Sequence, residues 1–281
     1  MPVQNATITA NDYNTVQSRI NTIMNTDYGQ SLLSSQVAVG DIITDDQLDN
    51  LRTDITKAFA HQQGSNPTMP DVDAGDLILA SHLNDYATTM TTVETNKFLI
   101  GNGQFSIEAG ISSSRTTAWN GTVEHRALVS FGSDLARTQF FNAGGQIRFT
   151  ASQSGGSSSI NVDWRNMLSN MGTIIFNYTE TTSTGSGTGT SIGQQDLTGS
   201  YQQIFQKAGS GVYAANDYII QARNQSGAIQ FRIYFQDDKG GNPQYDENVT
   251  GTLTSNIQHL RASGSNVSLP APTYTNQATL P

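Results

Sequence analysis

Four histidines, His61, His82, His125 and His259, offer the most versatile chemistry in this 281-residue chain, and they lie far apart in it. A zinc-type site needs ligands in close pairs, such as His-Glu-x-x-His or Cys-x-x-Cys. No such pairing occurs, and the chain has no cysteine. Structural or surface roles are therefore expected for the four histidines, and disulfide or thiolate chemistry is excluded. The run TGSGTGTSIG at 184–193 is rich in glycine. A phosphate cradle would need a helix N-terminus directly after those glycines, usually with a Lys. GQQDLTGSY follows instead, so the run reads as a loop, free to move or to meet a partner. DDKGGNPQYDEN at 237–248 gathers Asp237, Asp238, Asp246 and Glu247. Calcium wants carboxylates at alternate positions of one loop; here the DKGGNP core reads as a turn between strands, with solvated carboxylates around it.

No Gly-x-Ser-x-Gly sits on an expected strand-to-helix turn, and no His lies near a plausible Ser with a supporting carboxylate. Glu108 with Glu124, or Glu180 with Asp196, would need to meet in space to act as a glycosidase pair, and nothing in their spacing brings them together. Asn-x-Ser/Thr sequons such as Asn248-Val249-Thr250 carry meaning only in a secreted chain. Trp119 and Trp164, with ten tyrosines, could supply stacking faces for a sugar. Trp164 falls on a helical stripe and is expected in the core; Trp119, in TTAWNG, sits in a loop-like setting. No catalytic, cofactor-binding or metal-binding residue is assigned, no cofactor is expected, and the chain is not expected to be an enzyme.

Composition points the same way. Hydrophobic residues make up 36% and charged residues 13%, with 26 glycines, which favours turn-rich β structure over disorder. Residues 1–100 hold four Lys/Arg against twelve Asp/Glu, whereas the remainder is nearly balanced at ten against eleven. An acidic front half repels phosphates and anionic lipid, so neither nucleic acid nor membrane is an expected partner. The start MPVQNATITANDY lacks the basic and apolar regions of a signal peptide. No apolar run approaches the roughly 20 residues of a membrane span. The chain is expected to be made in a cytosol and to stay soluble until it meets a partner.

The front half says one thing three times. ATITANDYNTV at 6–16, GDIITDDQLDNLR at 40–52 and GDLILASHLNDY at 75–86 align on Asn14, Asp49 and Asn84, a gapless spacing of 35. Ile8, Ile43 and Ile78 fall in register, as do Tyr13, Leu48 and Leu83. Further along come Val16, Leu51 and Tyr86, then Ile20, Ile55 and Met90, then Ile23, Ala58 and Val93. These offsets form one stripe on an α-helix. Thr9 with Asp12, and Thr44 with Gln47, have capping-box spacing; the third copy carries Leu79 at the cap, so Ser81 is expected to cap instead. Helix ends are expected near 25–29, 63–64 and 97–101. Three repeats packed as a bundle follow, because so short a helix is marginal alone. The segments between them, GQSLLSSQVAVG and SNPTMPDVDAG, are polar and long enough to wander over a partner.

After residue 100 the period changes to 2. Strands are expected at 123–131, 140–152, 172–181, 201–208, 217–224, 228–238 and 249–258, with NQSG at 224–227 as a hairpin turn. The glycine pair of FFNAGGQIRFTAS would mark a bulge or a close backbone approach inside a strand. VDWRNMLSNMG, capped by Asp163 and ended by Gly172, is the one expected helix. The tail GSNVSLPAPTYTNQATLP at 264–281 shows no periodicity and reads as an extended strap that orders on a neighbour.

The phrases FFNAGGQIRFTAS, DWRNMLSNMGTIIF, YQQIFQ, DYIIQARN, IQFRIYFQDD and VTGTLTSNI, with the front-half pattern at 40–50, resemble virion structural proteins of tailed bacteriophages, notably T4-like phages of cyanobacteria. The likeness spans most of the chain and implies a place in the particle, with no catalytic residues. The expectation is an α+β protein: a helical repeat docking domain (1–100), an antiparallel β-sandwich (101–263) and a C-terminal strap (264–281). Its expected function is that of a non-enzymatic tail component, a baseplate or tail-fibre adaptor, located in the virion and assembled in the host cytoplasm. Its partners would be other virion structural proteins and further copies of itself. Three alternatives are a capsid decoration or head-fibre protein, a lectin-like receptor-binding protein contacting host glycan through Trp119, and an enzyme that cleaves host polysaccharide.

Overall fold

A computed structural model describes residues 8–238 and 245–281. The chain is mixed α/β, with five α-helices and two antiparallel sheets among the described residues. It divides into two compact units that are not consecutive pieces. The first comprises Met1–Ser106, Thr138–Gly145 and Arg261–Leu269; the second comprises Ile107–Arg137, Gln146–Leu260 and Pro270–Pro281.

The first unit contains α1 (Ala10–Asn21), α2 (Asp45–Gln63) and α3 (Ala80–Thr95), whose first residues are 35 apart. A π-helical turn, Thr22–Asp27, extends α1, with the Tyr28 amide donating to Ile23 O at 2.9 Å. Thr9 and Thr44 cap α1 and α2 in reciprocal capping boxes with Asp12 and Gln47, which satisfies amides that no helical carbonyl can reach. Leu79 supplies no capping side chain to α3, and Ser81 lies inside the helix instead of capping it; the Leu79 N–H points at His82 Nδ1, 3.5 Å away.

All three helices run the same way. Tyr13 OH near the start of α1 donates to Gln47 O near the start of α2 at 3.0 Å. Midway, Arg19 of α1 donates to Ala87 O and pairs with Glu94 of α3. At the far ends, Gln62 Nε2 of α2 donates to Val93 O at 2.9 Å, and Tyr28 OH donates to Lys97 O at 2.7 Å. A parallel bundle needs connections that run its full length. The 19 residues of α2 span about 28 Å, which the extended segment 64–79 covers with slack. Those connections do not wander. Asn14 exchanges two 2.9 Å hydrogen bonds with the Val37 backbone. Buried Asp54 accepts from the amides of Leu33 and Ser34 and from Ser34 Oγ. Val37, Met69 and Val72 are drawn into the core. Every stripe residue from Tyr13 to Val93 named above is 2% exposed or less, in one hydrophobic cluster with Ile8, Ile43 and Ile78 packed against it.

The second unit begins with β1 (Phe105–Arg115), which crosses from the first, and β2 (Gly121–Ser130). Next in the chain comes α4 (Asp134–Asn142), whose residues from Thr138 on belong to the first unit; the Ser133 hydroxyl accepts from the Ala136 amide at its start. So FFN at 140–142 is helical, and the glycine pair ends a helix: Gly144 has φ +81°. The expected strand begins only after it, as β3 (Gln146–Ser154). α5 (Ser159–Asn170) opens after Ser158, not at Asp163, and stops as expected before Gly172 at φ +63°. The remaining strands are β4 (Ile174–Phe176), β5 (Thr181–Ser183), β6 (Thr188–Gly189), β7 (Gln202–Ala208), β8 (Asp217–Gln225), β9 (Ala228–Asp237), β10 (Thr252–Ala262) and β11 (Thr273–Ala278).

One sheet has the order β1-β10-β3-β4-β5 and the other β11-β2-β9-β8-β7-β6. Their inner faces meet through aromatic rings: Phe149 of β3 and Phe176 of β4 both contact Phe231 of β9 edge-on, with centroids 5.0 and 5.5 Å apart. The β8–β9 hairpin turns through Ser226-Gly227 as expected, bringing Gln225 opposite Ala228. The tail differs from a strap awaiting a neighbour, since β11 pairs antiparallel with β2 from Thr273↔Ser130 to Ala278↔Arg126. Its end is tied in as well: the Leu280 amide donates to Ser113 Oγ at 2.8 Å, and Leu280 is buried.

Two outcomes are expected. Ile55→Asp places a charge at a fully buried position of the helical core and should cost more than about 4 kcal/mol there. Because both tryptophans lie in the second unit, helical circular dichroism should fall while native tryptophan fluorescence persists; joint loss of both signals would refute separable units. Deleting 270–281 removes β11 and bares the β2 edge, so the tryptophan-detected melting temperature should drop by at least about 4 °C. An unchanged melt would show that β11 contributes nothing.

Candidate functional site

The histidines stay apart, each in a structural setting. His61, at the end of α2, is fully buried with Nε2 3.1 Å from Ala143 O, and burial pulls its pKa down to about 4. His82 lies in the first turn of α3. His125 on β2 is buried with one nitrogen 2.9 Å from Ser255 Oγ and the other 2.8 Å from Asn276 Oδ1; desolvation lowers its pKa. The Asn276 amide donates onward to Ser112 O at 3.2 Å, so this one network ties β1, β2, β10 and β11 together. His259 on β10 meets Tyr274 OH at 2.9 Å and Glu108 at 3.4 Å. Among the described residues, no three His, Cys, Asp or Glu side chains are grouped so as to hold a metal ion.

The glycine-rich run is exposed at 184–188 and paired from 188 to 190. Thr181 and Thr190 exchange backbone hydrogen bonds of 2.8 and 3.0 Å, and the run contains β6. A Cβ on Gly189 would collide with Thr181 O, so the glycine serves close backbone approach. Only a single 3-10 turn, Gln194–Asp196, follows. Asp196 accepts from the Gly193 amide there at 3.4 Å. Glu124 is taken up by Arg126 at 2.7 Å, with Arg232 at 3.6 Å, and Glu108 lies against His259. These carboxylates have separate partners.

Trp119 is not a surface platform. It is 5% exposed, bridges the Val249 backbone and packs edge-on against Trp164 at 5.0 Å. Trp164 is fully buried, as its helical stripe requires, and also meets Phe235. Asp163, on the same helix, accepts from the Ser210 amide and hydroxyl. Of the four acidic residues at 237–248, Asp246 accepts from Asn120 Nδ2 at 2.8 Å, while Asp237 is 4% exposed. The expected turn at 238–243 lies, apart from Asp238, outside the described residues.

Sequence reasoning missed two features. On the outer face of the six-stranded sheet, the Tyr201 ring lies between the Arg223 and Arg232 guanidinium groups, 4.5 and 3.8 Å from its centroid. Gln230 Oε1 accepts from both Tyr201 OH and Arg223, and its amide donates to Gln277. Tyr201, Arg223 and Gln230 bond to one another, so the cluster links neighbouring strands of the sheet. The alternation of β9 signalled that outer face, but nothing in the sequence brought Tyr201 to it. The second feature is at the start of the helices. Val39, Ile42 and Leu77 are 95%, 83% and 77% exposed, where helical periodicity is silent.

Compared with known proteins, the chain matches no family model, no curated protein and no solved structure. No helix among the described residues is long and apolar enough to cross a membrane.

Asp237 makes a pH prediction. Burial is the main force raising its carboxyl pKa from 3.8 to about 7; neighbouring Asn216 opposes it, and nearby Asp246 and Asp238 add to it. The unfolded chain gives up this proton near 3.8 while the folded chain keeps it to about 7. Stability contributed here therefore falls as pH rises through that window. Asp237→Asn, neutral throughout, should raise the melting temperature at pH 8 and change it little at pH 4. Parallel pH profiles for wild type and variant would contradict the assignment.

Proposed function

We propose that this protein is a non-enzymatic structural component of a phage virion, a tail baseplate or tail-fibre adaptor that works by packing against other proteins. The observation that carries the reading is how its chemistry-bearing side chains are employed. Asp54 clamps a connection, His61 holds a backbone carbonyl, and His125 and His259 tie strands together. A catalytic site keeps such groups aimed at a cleft; here they support the scaffold. The phrase-level resemblance to virion proteins supplies the particle.

The front unit is read as three 35-residue repeats. Support comes from the matched helix starts and from paired backbone angles: Gly29 and Gly64 have φ +65° and +73°, and Gly40 and Gly75 have +97° and +96°. Segment 264–281 is read as an extended connector whose last stretch seals the sandwich edge. The capsid-decoration alternative keeps the same physics at another address. The lectin-like alternative loses Trp119 as its sugar-facing residue, because that ring is buried.

Quantitative mass spectrometry of gradient-purified particles of the encoding phage tests this. The protein should be present at fixed stoichiometry, on the order of ten copies for a tail position or hundreds for a capsid position. Its absence from particles would refute the virion reading.

A further inference from the structure

We infer that the helical unit docks through the end where its helices begin, onto a protein surface that is aliphatic and fringed with Lys and Arg. The inference rests on the reading of the chain as an assembly protein and says which face assembles and with what chemistry.

Exposed aliphatic side chains recur here at the same place in successive connections. Ile42 stands three residues before α2 and Leu77 three residues before α3, both more than three-quarters exposed, with Val39 more exposed still. Their chain neighbours Ile43 and Ile78 turn inward onto the core cluster. The loops are held and not frayed. The Asp41 amide donates to Ala38 O and the Asp76 amide to Asp73 O, at 3.1 and 2.9 Å. Reciprocally, the Ala38 amide donates to the Asp41 carboxylate and the Asp73 amide to that of Asp76. The glycines at 40 and 75 take the positive φ that these turns require. Aliphatic groups displayed on a pre-set backbone are the pattern of a contact surface, because little ordering entropy remains to be lost on docking.

The opposite end of the bundle is already covered within the same unit. The Gly101 amide donates to His61 O, His61 meets Ala143 O, and Gln30 Nε2 lies 3.3 Å from Ser268 O. The helix-start end has no such cover among the described residues.

Charge selects the occupant. Asp41, Asp45, Asp46, Asp49, Asp73 and Asp76 surround these loops, and no Lys or Arg occurs in 38–51 or 72–96. Arg52, the nearest cation in sequence, is paired with Asp71 at 2.8 Å. A second copy presenting this same end would bring acid against acid. A cationic rim around an aliphatic centre is the complementary surface.

The test uses the full chain and two fluorescent helical probe peptides, each with a Leu stripe, one flanked by Lys/Arg and the other by Glu. Binding to the basic probe, weakened by salt and at least tenfold weaker for the Ile42→Ser/Leu77→Ser double variant, supports the inference. The exposed-site control Leu135→Ser should stay within twofold of wild type. No binding of the basic probe, equal binding of the acidic one, or unchanged affinity in the double variant overturns it. Self-association abolished by the double variant would place a second copy on this end, and also overturns it. Failure here leaves the virion reading standing if the protein is found in particles. Absence from particles with probe binding intact sinks that reading alone.

Discussion

The first unit depends on three short helices lying parallel. Each carries a single apolar stripe that packs mainly on the other two, so all three stripes converge on one axis. Antiparallel neighbours could be joined by tight turns. Parallel ones cannot, and the chain has to return along the bundle's length before each new helix. That return explains the long connections, the buried valines and methionine within them, and the clamps supplied by Asn14 and Asp54. It also aligns the helix dipoles, gathering three partially positive ends at one pole. Asp12, Asp45 and Asp46 sit in the first turns there, so the lopsided charge of the front half partly answers an electrostatic demand of the fold.

The second unit solves a different problem. Two sheets of a sandwich leave edge strands with unpaired backbone groups. β11 covers the edge of β2, and the Asn276 side chain, anchored by His125, reaches across to a carbonyl of β1. A buried histidine is costly when charged, and in this network it is held by a hydroxyl and an amide that ask for no charge. The C-terminal segment thereby closes one side of the sandwich through specific polar contacts. This also accounts for the polar composition of TYTNQA, which reads as featureless in one dimension.

Legibility varied with the range of the interaction. The apolar stripes, both threonine capping boxes, the αL glycine after α2 and the β8–β9 hairpin could be read directly, since each concerns residues within a turn or two of one another. The start of β3 was misplaced because Phe140 and Phe141 suit strand and helix alike; the Ser133 cap and the αL position of Gly144 decide for helix. Trp119 looked loop-like because its partners, Val249 and Trp164, are distant in sequence. The pairing of the glycine-rich run with Thr181 was not legible, because the partner strands are brought together only by folding.

By itself, the sequence determined where the three front helices lie and which threonines begin two of them, that the chain changes period near residue 100, and that its front half is acidic. These follow from local stereochemistry and composition, which every chain carries with it. Only the tertiary structure decided that the three helices run parallel, that 138–145 and 261–269 belong with them, that the tail is a strand, and that Ile42 and Leu77 face outward while Ile43 and Ile78 face in. Those outcomes depend on which distant surfaces exclude water together, and side-chain spacing along a single segment holds no record of that.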